Sequence, residues 1–177
     1  GDLNIIMAAL REIVFNENQE IRTLCFIILY NLVDYSPEII DDLINDDFHT
    51  IAVSEFNRKS SFRCRSFIFK FCSLLVKSSS EYVIELIETG VVNILIENPF
   101  ILEEDDDDWY ILLDAIYRLK YFLDYGIVQD QINEMLDNED FMEWIDNACQ
   151  SKAENISSLA FSIRTEILFM DDDQFDE

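Results

Sequence analysis

Cys25-Phe-Ile-Ile-Leu-Tyr-Asn31-Leu32 is a run of mostly apolar residues with counterparts further along the chain. Phe67-Ile-Phe-Lys-Phe-Cys-Ser73-Leu74 follows 42 residues on, Ala115-Ile-Tyr-Arg-Leu-Lys-Tyr121-Phe122 a further 48, and Leu159-Ala-Phe-Ser-Ile-Arg-Thr165 a further 44. A shorter motif keeps the same beat. Leu43-Ile-Asn-Asp-Asp-Phe48 matches Leu86-Ile-Glu-Thr-Gly-Val91 and Leu136-Asp-Asn-Glu-Asp-Phe141. The longest of the three offsets is accounted for by an acidic insertion at 103–108. Self-similarity at a fixed period marks supersecondary units that bury their faces on one another.

The units themselves read as helices. Leu3, Ile6, Met7, Leu10, Ile13 and Val14 recur at steps of three and four, which predicts a helix over about 3–15. Asn16, Glu17 and Asn18 break it. The next helix, about 19–34, is apolar on most sides and so belongs between neighbours. Ser36 and Pro37 restart the chain as N-cap and first helical residue. Helices over about 37–45, 48–56 and 61–77 follow. Ser80 is placed to cap the next one, and Gly90 sits where a C-terminal cap needs positive φ. A short helix at 91–96 stops before Pro99. The recurring order is short, short, long. Periods of roughly 40–47 residues with two or three helices belong to armadillo and HEAT arrays, and three helices favour armadillo. The expected fold is all-α, a right-handed armadillo superhelix of about three and a half repeats. A partial repeat at 1–35 precedes repeats at about 36–77, 80–125 and 127–170, and an acidic tail closes the chain at 171–177. The first repeat lacks its first helix, leaving an open apolar end. With a Gly and no Met at position 1, the chain reads as the C-terminal part of a longer solenoid.

Composition narrows the function. The chain has 37 Asp and Glu against 12 Lys and Arg, a net charge of −25, yet half its residues are apolar. Disorder needs low hydrophobicity as well as high charge, so it is excluded. Three Gly and two Pro are too few for the turns of an all-β fold. Nucleic-acid phosphates and anionic membrane surfaces both call for a Lys and Arg surplus, so neither is expected as a partner. No run reaches the roughly 18 apolar residues of a membrane span, and no signal-peptide pattern is present. Cys25, Cys64, Cys72 and Cys149 form no C-x-x-C pair and read as buried reduced thiols, with disulfide pairing as the alternative. A cationic protein or peptide is the partner that the charge favours.

The stretch from Ile21 through Asn31, with Leu29 before the Asn, resembles the third helix of an importin alpha repeat. Ile27 stands where that family has Trp. Phe141-Met-Glu-Trp-Ile145, the helix through Ala160 and Phe161, and the acidic end at 171–177 are similar to the family's closing region. The resemblance covers most of the chain as a repeat framework, with Asn31 as its one signature residue. It implies a nuclear-import adaptor moving between cytoplasm and nucleus. Such an adaptor binds basic (Lys/Arg-rich) nuclear-localisation peptides, and meets importin beta or the export receptor through parts of the full-length protein. It also implies a peptide groove on the third helices. The Trp positions hold Ile27, Phe69, Tyr117 and Phe161, and the Asn positions hold Asn31, Ser73, Tyr121 and Thr165, with Asp34, Asp114 and Asp124 one turn away. The chemistry suits the ligand, since an amide can pair with a peptide backbone and aromatic faces attract cations. Phe69, Tyr117 and Phe161 also read as core residues, and Asn31 as a scaffold hydrogen-bonder.

Other classes have less support. His49 is the only histidine, so no His-based metal cluster or catalytic base is expected. The run at 103–108 lacks the Gly and spacing of a calcium loop and reads as a solvated loop. There is no G-x-S-x-G elbow and no glycine-type phosphate loop. The expectation is a non-enzymatic binding protein without cofactor or metal. The rival reading is a generic armadillo or HEAT scaffold with no transport role.

Overall fold

The first corner of the chain is built from side-chain amides. Asn16 Oδ1 accepts the Asn18 N–H at 2.9 Å, and Asn18 Oδ1 accepts the Glu20 N–H at 2.9 Å. The second bond satisfies one of the orphan donors at the start of a helix. The computed structural model describes residues 2–101 and 106–169. Among the described residues there are eleven α-helices and no strand. They are α1 (Asp2–Val14), α2 (Gln19–Tyr35), α3 (Ile40–Asn45), α4 (Phe48–Asn57), α5 (Phe62–Ser78), α6 (Val83–Glu88), α7 (Val91–Glu97), α8 (Asp106–Tyr117), α9 (Gly126–Asp137), α10 (Glu139–Cys149) and α11 (Glu154–Glu166). Short 3-10 turns at Pro37–Ile39, Pro99–Ile101 and Arg118–Phe122 join some of them.

The stops and starts follow local chemistry. Ser61 Oγ caps α5 through the Cys64 N–H at 3.2 Å, and Asn138 Oδ1 caps α10 through the Phe141 N–H at 2.9 Å. Pro37 opens its 3-10 turn, as its fixed φ and missing N–H allow. Gly90 has φ +90° between α6 and α7, and Asp47 has φ +61° at the matching place between α3 and α4. Two successive units thus share a left-handed residue at the same joint.

Three expectations are corrected. Ser80 does not cap α6, which begins at Val83 with Tyr82 at its N-cap and no side-chain cap. Residues 79–82 are used up in turning away from α5, which runs on to Ser78. The acidic run is not wholly a loop, because α8 begins at Asp106, and the carboxylates of Asp107 and Asp108 near its start complement the helix dipole. Asp108 is buried there. Residues 103–105 lie outside the described residues, as does the acidic tail expected at 171–177. The third long helix tightens into a 3-10 turn after Tyr117, so its last turn leaves the α-helical phase.

Equivalent helices pack on one another. The long helices stack α2 on α5, α5 on α8 and α8 on α11, while α4 meets α7, α7 meets α10, and α6 meets α9. In three of the units the long helix packs on the one before it, as α1 on α2, α4 on α5 and α10 on α11, whereas α7 packs back on α5. One core results, running from Met7 to Leu168. Its largest fully buried side chains include Phe26, Phe48, Phe69, Phe71 and Phe141, each stabilising the fold by about 1.5–3 kcal/mol. The two ends differ. Ile5, Ile6, Leu24 and Ile28 are exposed on α1 and α2, whereas α11 exposes Glu154, Asn155, Ser158, Thr165 and Glu166, with Phe161 as its one exposed large apolar side chain.

Buried polar groups tie units together. Glu55 on α4 is 3% exposed and takes the Arg22 guanidinium of α2 at 3.1 Å, with Arg58 at 3.6 Å. Arg22 also donates to the Asn16 and Glu17 carbonyls at 2.8 and 2.9 Å, so one side chain holds the α1–α2 corner and α4. His49, buried on α4, meets Glu85 of α6 at 3.2 Å. The four cysteines are buried and none is in a disulfide. Burial pushes the Cys25 thiol up to about 12, with the Cys64 thiol adding to it, and burial alone pushes Cys72 up to about 12. No single described helix is long and apolar enough to cross a membrane; the one adjacent pair that passes together, Gln19–Tyr35 with Pro37–Asn45, is bent by 118°.

Candidate functional site

The stack of α2, α5, α8 and α11 brings the expected groove residues into one region, though not all to its surface. Ile27 is half-buried and Asn31 exposed on α2, where the Asn31 amide donates to its own helix at Ile27 O, 2.7 Å away. Asp34 is exposed in the last turn of α2. On α5 the expectation fails. Phe69 is 0% and Ser73 1% exposed, and Ser73 Oγ donates to Phe69 O at 3.0 Å. Both belong to the core and offer a ligand nothing. The less-buried stripe of α5 is Arg63, Ser66, Phe67, Lys70 and Lys77, at helical spacing. Phe69 is one residue from Lys70, about 100° round the helix, which turns it inward.

On α8, Asp114 and Tyr117 are partly exposed, and Tyr121 beyond them is 71% exposed in the 3-10 turn. Asp124 is exposed in the link to α9. On α11, Phe161 is 44% exposed, and Thr165 Oγ1 donates to Phe161 O at 3.0 Å.

What the sequence did not single out is a set of lysines set against rings and carboxylates along this face. Between α2 and α5, the Tyr30 and Phe67 rings meet edge to face at 6.1 Å. The Lys70 ammonium lies 6.0 and 5.5 Å from their centres and 2.9 Å from Asp108 of α8. Lys77 of α5 lies 5.7 Å from the Tyr110 ring and 3.7 Å from Asp114, both on α8. Lys120 lies 3.9 Å from the Tyr117 ring centre, 5.2 Å from Tyr121, and 3.2 Å from Glu166 of α11. Lys120 also donates to the Tyr117 hydroxyl, which donates in turn to Glu166 at 2.9 Å. Glu166 is thereby held below the usual carboxylate range, first by Tyr117 and then by Lys120. The Lys120 ammonium is held above its ordinary value, first by the Tyr117 bond, with Glu166 adding to it against desolvation.

Each arrangement is chemically a cation site, with ring faces attracting the ammonium and a carboxylate neutralising it. The spacing of Arg63, Ser66, Lys70 and Lys77 is the signal that exposes this face in the sequence, because an unpaired ammonium is not buried. Among the described residues no group of three or more His, Cys, Asp or Glu is placed to hold a metal ion. Comparison with protein-family models, curated protein sequences and solved structures finds no match for this chain.

Proposed function

We propose that the chain is an armadillo-type protein-interaction scaffold whose long-helix face takes a cationic protein segment. The observation behind it is the recurrence along α5, α8 and α11 of aromatic rings paired with carboxylates around ammonium groups. Tyr121 and Phe161 are exposed just beyond α8 and on α11, and Asn31 and Asp34 are exposed on α2, which packs on α5. The chain's net charge of −25 favours the encounter.

The transport-adaptor reading asks more of particular residues. Asn31 would have to exchange its bond to Ile27 O for a peptide backbone, and Phe69 and Ser73 are in the core. A broader interaction scaffold needs neither change. The test is titration of a Lys/Arg-rich peptide, followed by backbone NMR shifts at low and at physiological salt. The expected result is weak binding that perturbs α8 and α11 and falls steeply with salt. Absence of binding at low salt, or shifts confined to other helices, would falsify it.

A further inference from the structure

The lysines on this face are not spread at random over the surface. Lys70, Lys77 and Lys120 each reach toward a carboxylate on the next long helix, and each has at least one aromatic ring beside its ammonium. Their side chains are only 24–32% exposed, so they lie along the surface rather than in solvent. An incoming lysine or arginine would seek the same rings and the same oxygens. Resting on the reading of this face as a cation-binding surface, we propose that Lys70, Lys77 and Lys120 are tethered occupants of its cation sites, which an external cationic segment must displace. The chain thereby sets its own affinity low and restricts binding to ligands with several closely spaced charges, which can displace several lysines at once.

The cost of displacement is unequal among the three sites. Asp108, at 10% side-chain exposure, is the most enclosed carboxylate, so Lys70 is the occupant most firmly held. Asp114 at 22% and Glu166 at 47% are more open. Ligand entry belongs at the Lys77 and Lys120 sites, and removing Lys70 would strand a buried charge and endanger the fold.

The experiment follows from that difference. Fluorescein-labelled oligolysine is titrated at low salt into the wild type and into the double variant Lys77→Gln/Lys120→Gln. A third protein, Lys59→Gln/Lys152→Gln, makes the same change in net charge at exposed positions in loops outside the three lysine sites. Circular dichroism establishes that all three are folded. The proposal expects the Lys77/Lys120 variant to bind about tenfold more tightly than both other proteins, two vacated sites each contributing a ring contact and an ion pair. Equal tightening in the loop variant would show bulk charge alone and overturn it, as would an unchanged affinity in the Lys77/Lys120 variant. If the wild type is silent while the Lys77/Lys120 variant binds, tethered occupancy stands and the scaffold's own preference for cationic segments falls. If all three are silent, both fall.

Discussion

The Tyr117 hydroxyl donates a 2.9 Å hydrogen bond to the Glu166 carboxylate, joining the end of α8 to the end of α11. That bond leads the causes that lower the Glu166 pKa, and the Tyr117 contact also leads those that raise Lys120. A carboxylate with a depressed folded pKa stabilises above its unfolded pKa, and loses that contribution as pH falls through the folded value. An ammonium with a raised pKa stabilises below its unfolded value and loses that contribution as pH rises through the folded one. The pair therefore contributes fully between the ordinary glutamate and lysine values. Tyr117→Phe should move the Glu166 titration upward and the Lys120 titration downward, each toward its ordinary value. Carboxyl and ammonium NMR titrations read both, and unshifted curves would show that the hydroxyl does not set them.

Gly90 holds a backbone conformation that other residues would strain to adopt. Its φ of +90° is open to glycine and disfavoured for other residues. A Cβ there would meet Val53 Cγ1 at 3.8 Å, an ordinary contact, so crowding is not the obstacle. Gly90→Ala should lower stability by about 1 kcal/mol and Gly90→Val by about 2. Gly90→Asn should cost least, because Asn tolerates the left-handed region; Asp47 already occupies that region at the matching joint. Chemical denaturation orders the three, and a Val variant as stable as wild type would remove the backbone argument.

The repeating helices were legible because their causes are local. The steps of three and four in α1, the amides at 16–18, Pro37 and Gly90 each act within one turn of chain. The surface of α5 was not legible from the alignment of repeats, because a one-residue difference in facing leaves the apolar pattern almost unchanged. Phe67, Phe69 and Phe71 all suit a ring position by type, yet only Phe67 reaches the surface stripe. The lysines settle the facing, since Lys70 and Lys77 must reach water or a carboxylate. Tyr121 shows another limit, because the switch to a 3-10 turn after Tyr117 has no Gly or Pro within Arg118–Phe122 to announce it. Asp108 was hidden by its own neighbours, being one of six consecutive carboxylates and the one that Lys70 draws in.

The thiols give a prediction about reactivity. The thiolate is the reactive form, and Cys25 and Cys72 are pushed up to about 12, while Cys64 is also raised by burial. At pH 8 the native protein should show almost no fast reaction with a disulfide reagent, whereas all four cysteines should react in denaturant. Native-state labelling should then report transient opening rather than thiol chemistry. A native cysteine that reacts as fast as free thiol would place at least one sulfur outside the core.

Arg22 makes the sharpest stability prediction, because Glu55 is among the most buried carboxylates described. Arg22→Met removes the 3.1 Å partner and the two donors to the Asn16 and Glu17 carbonyls, leaving Glu55 with Arg58 alone at 3.6 Å. Arg58 is 64% exposed and holds its charge mostly in water, so it compensates poorly. Loss of one member of a buried pair costs about 3 kcal/mol, enough to bring a domain of marginal stability close to unfolding. The same variant should loosen the α1–α2 corner, seen as faster amide exchange in α1. Glu55→Leu added to Arg22→Met removes the stranded charge and should restore part of the loss, the signature of a desolvation penalty rather than of missing packing. If the double variant is instead less stable than Arg22→Met by the full cost of a second core defect, the stranded charge is not what the single substitution exposes.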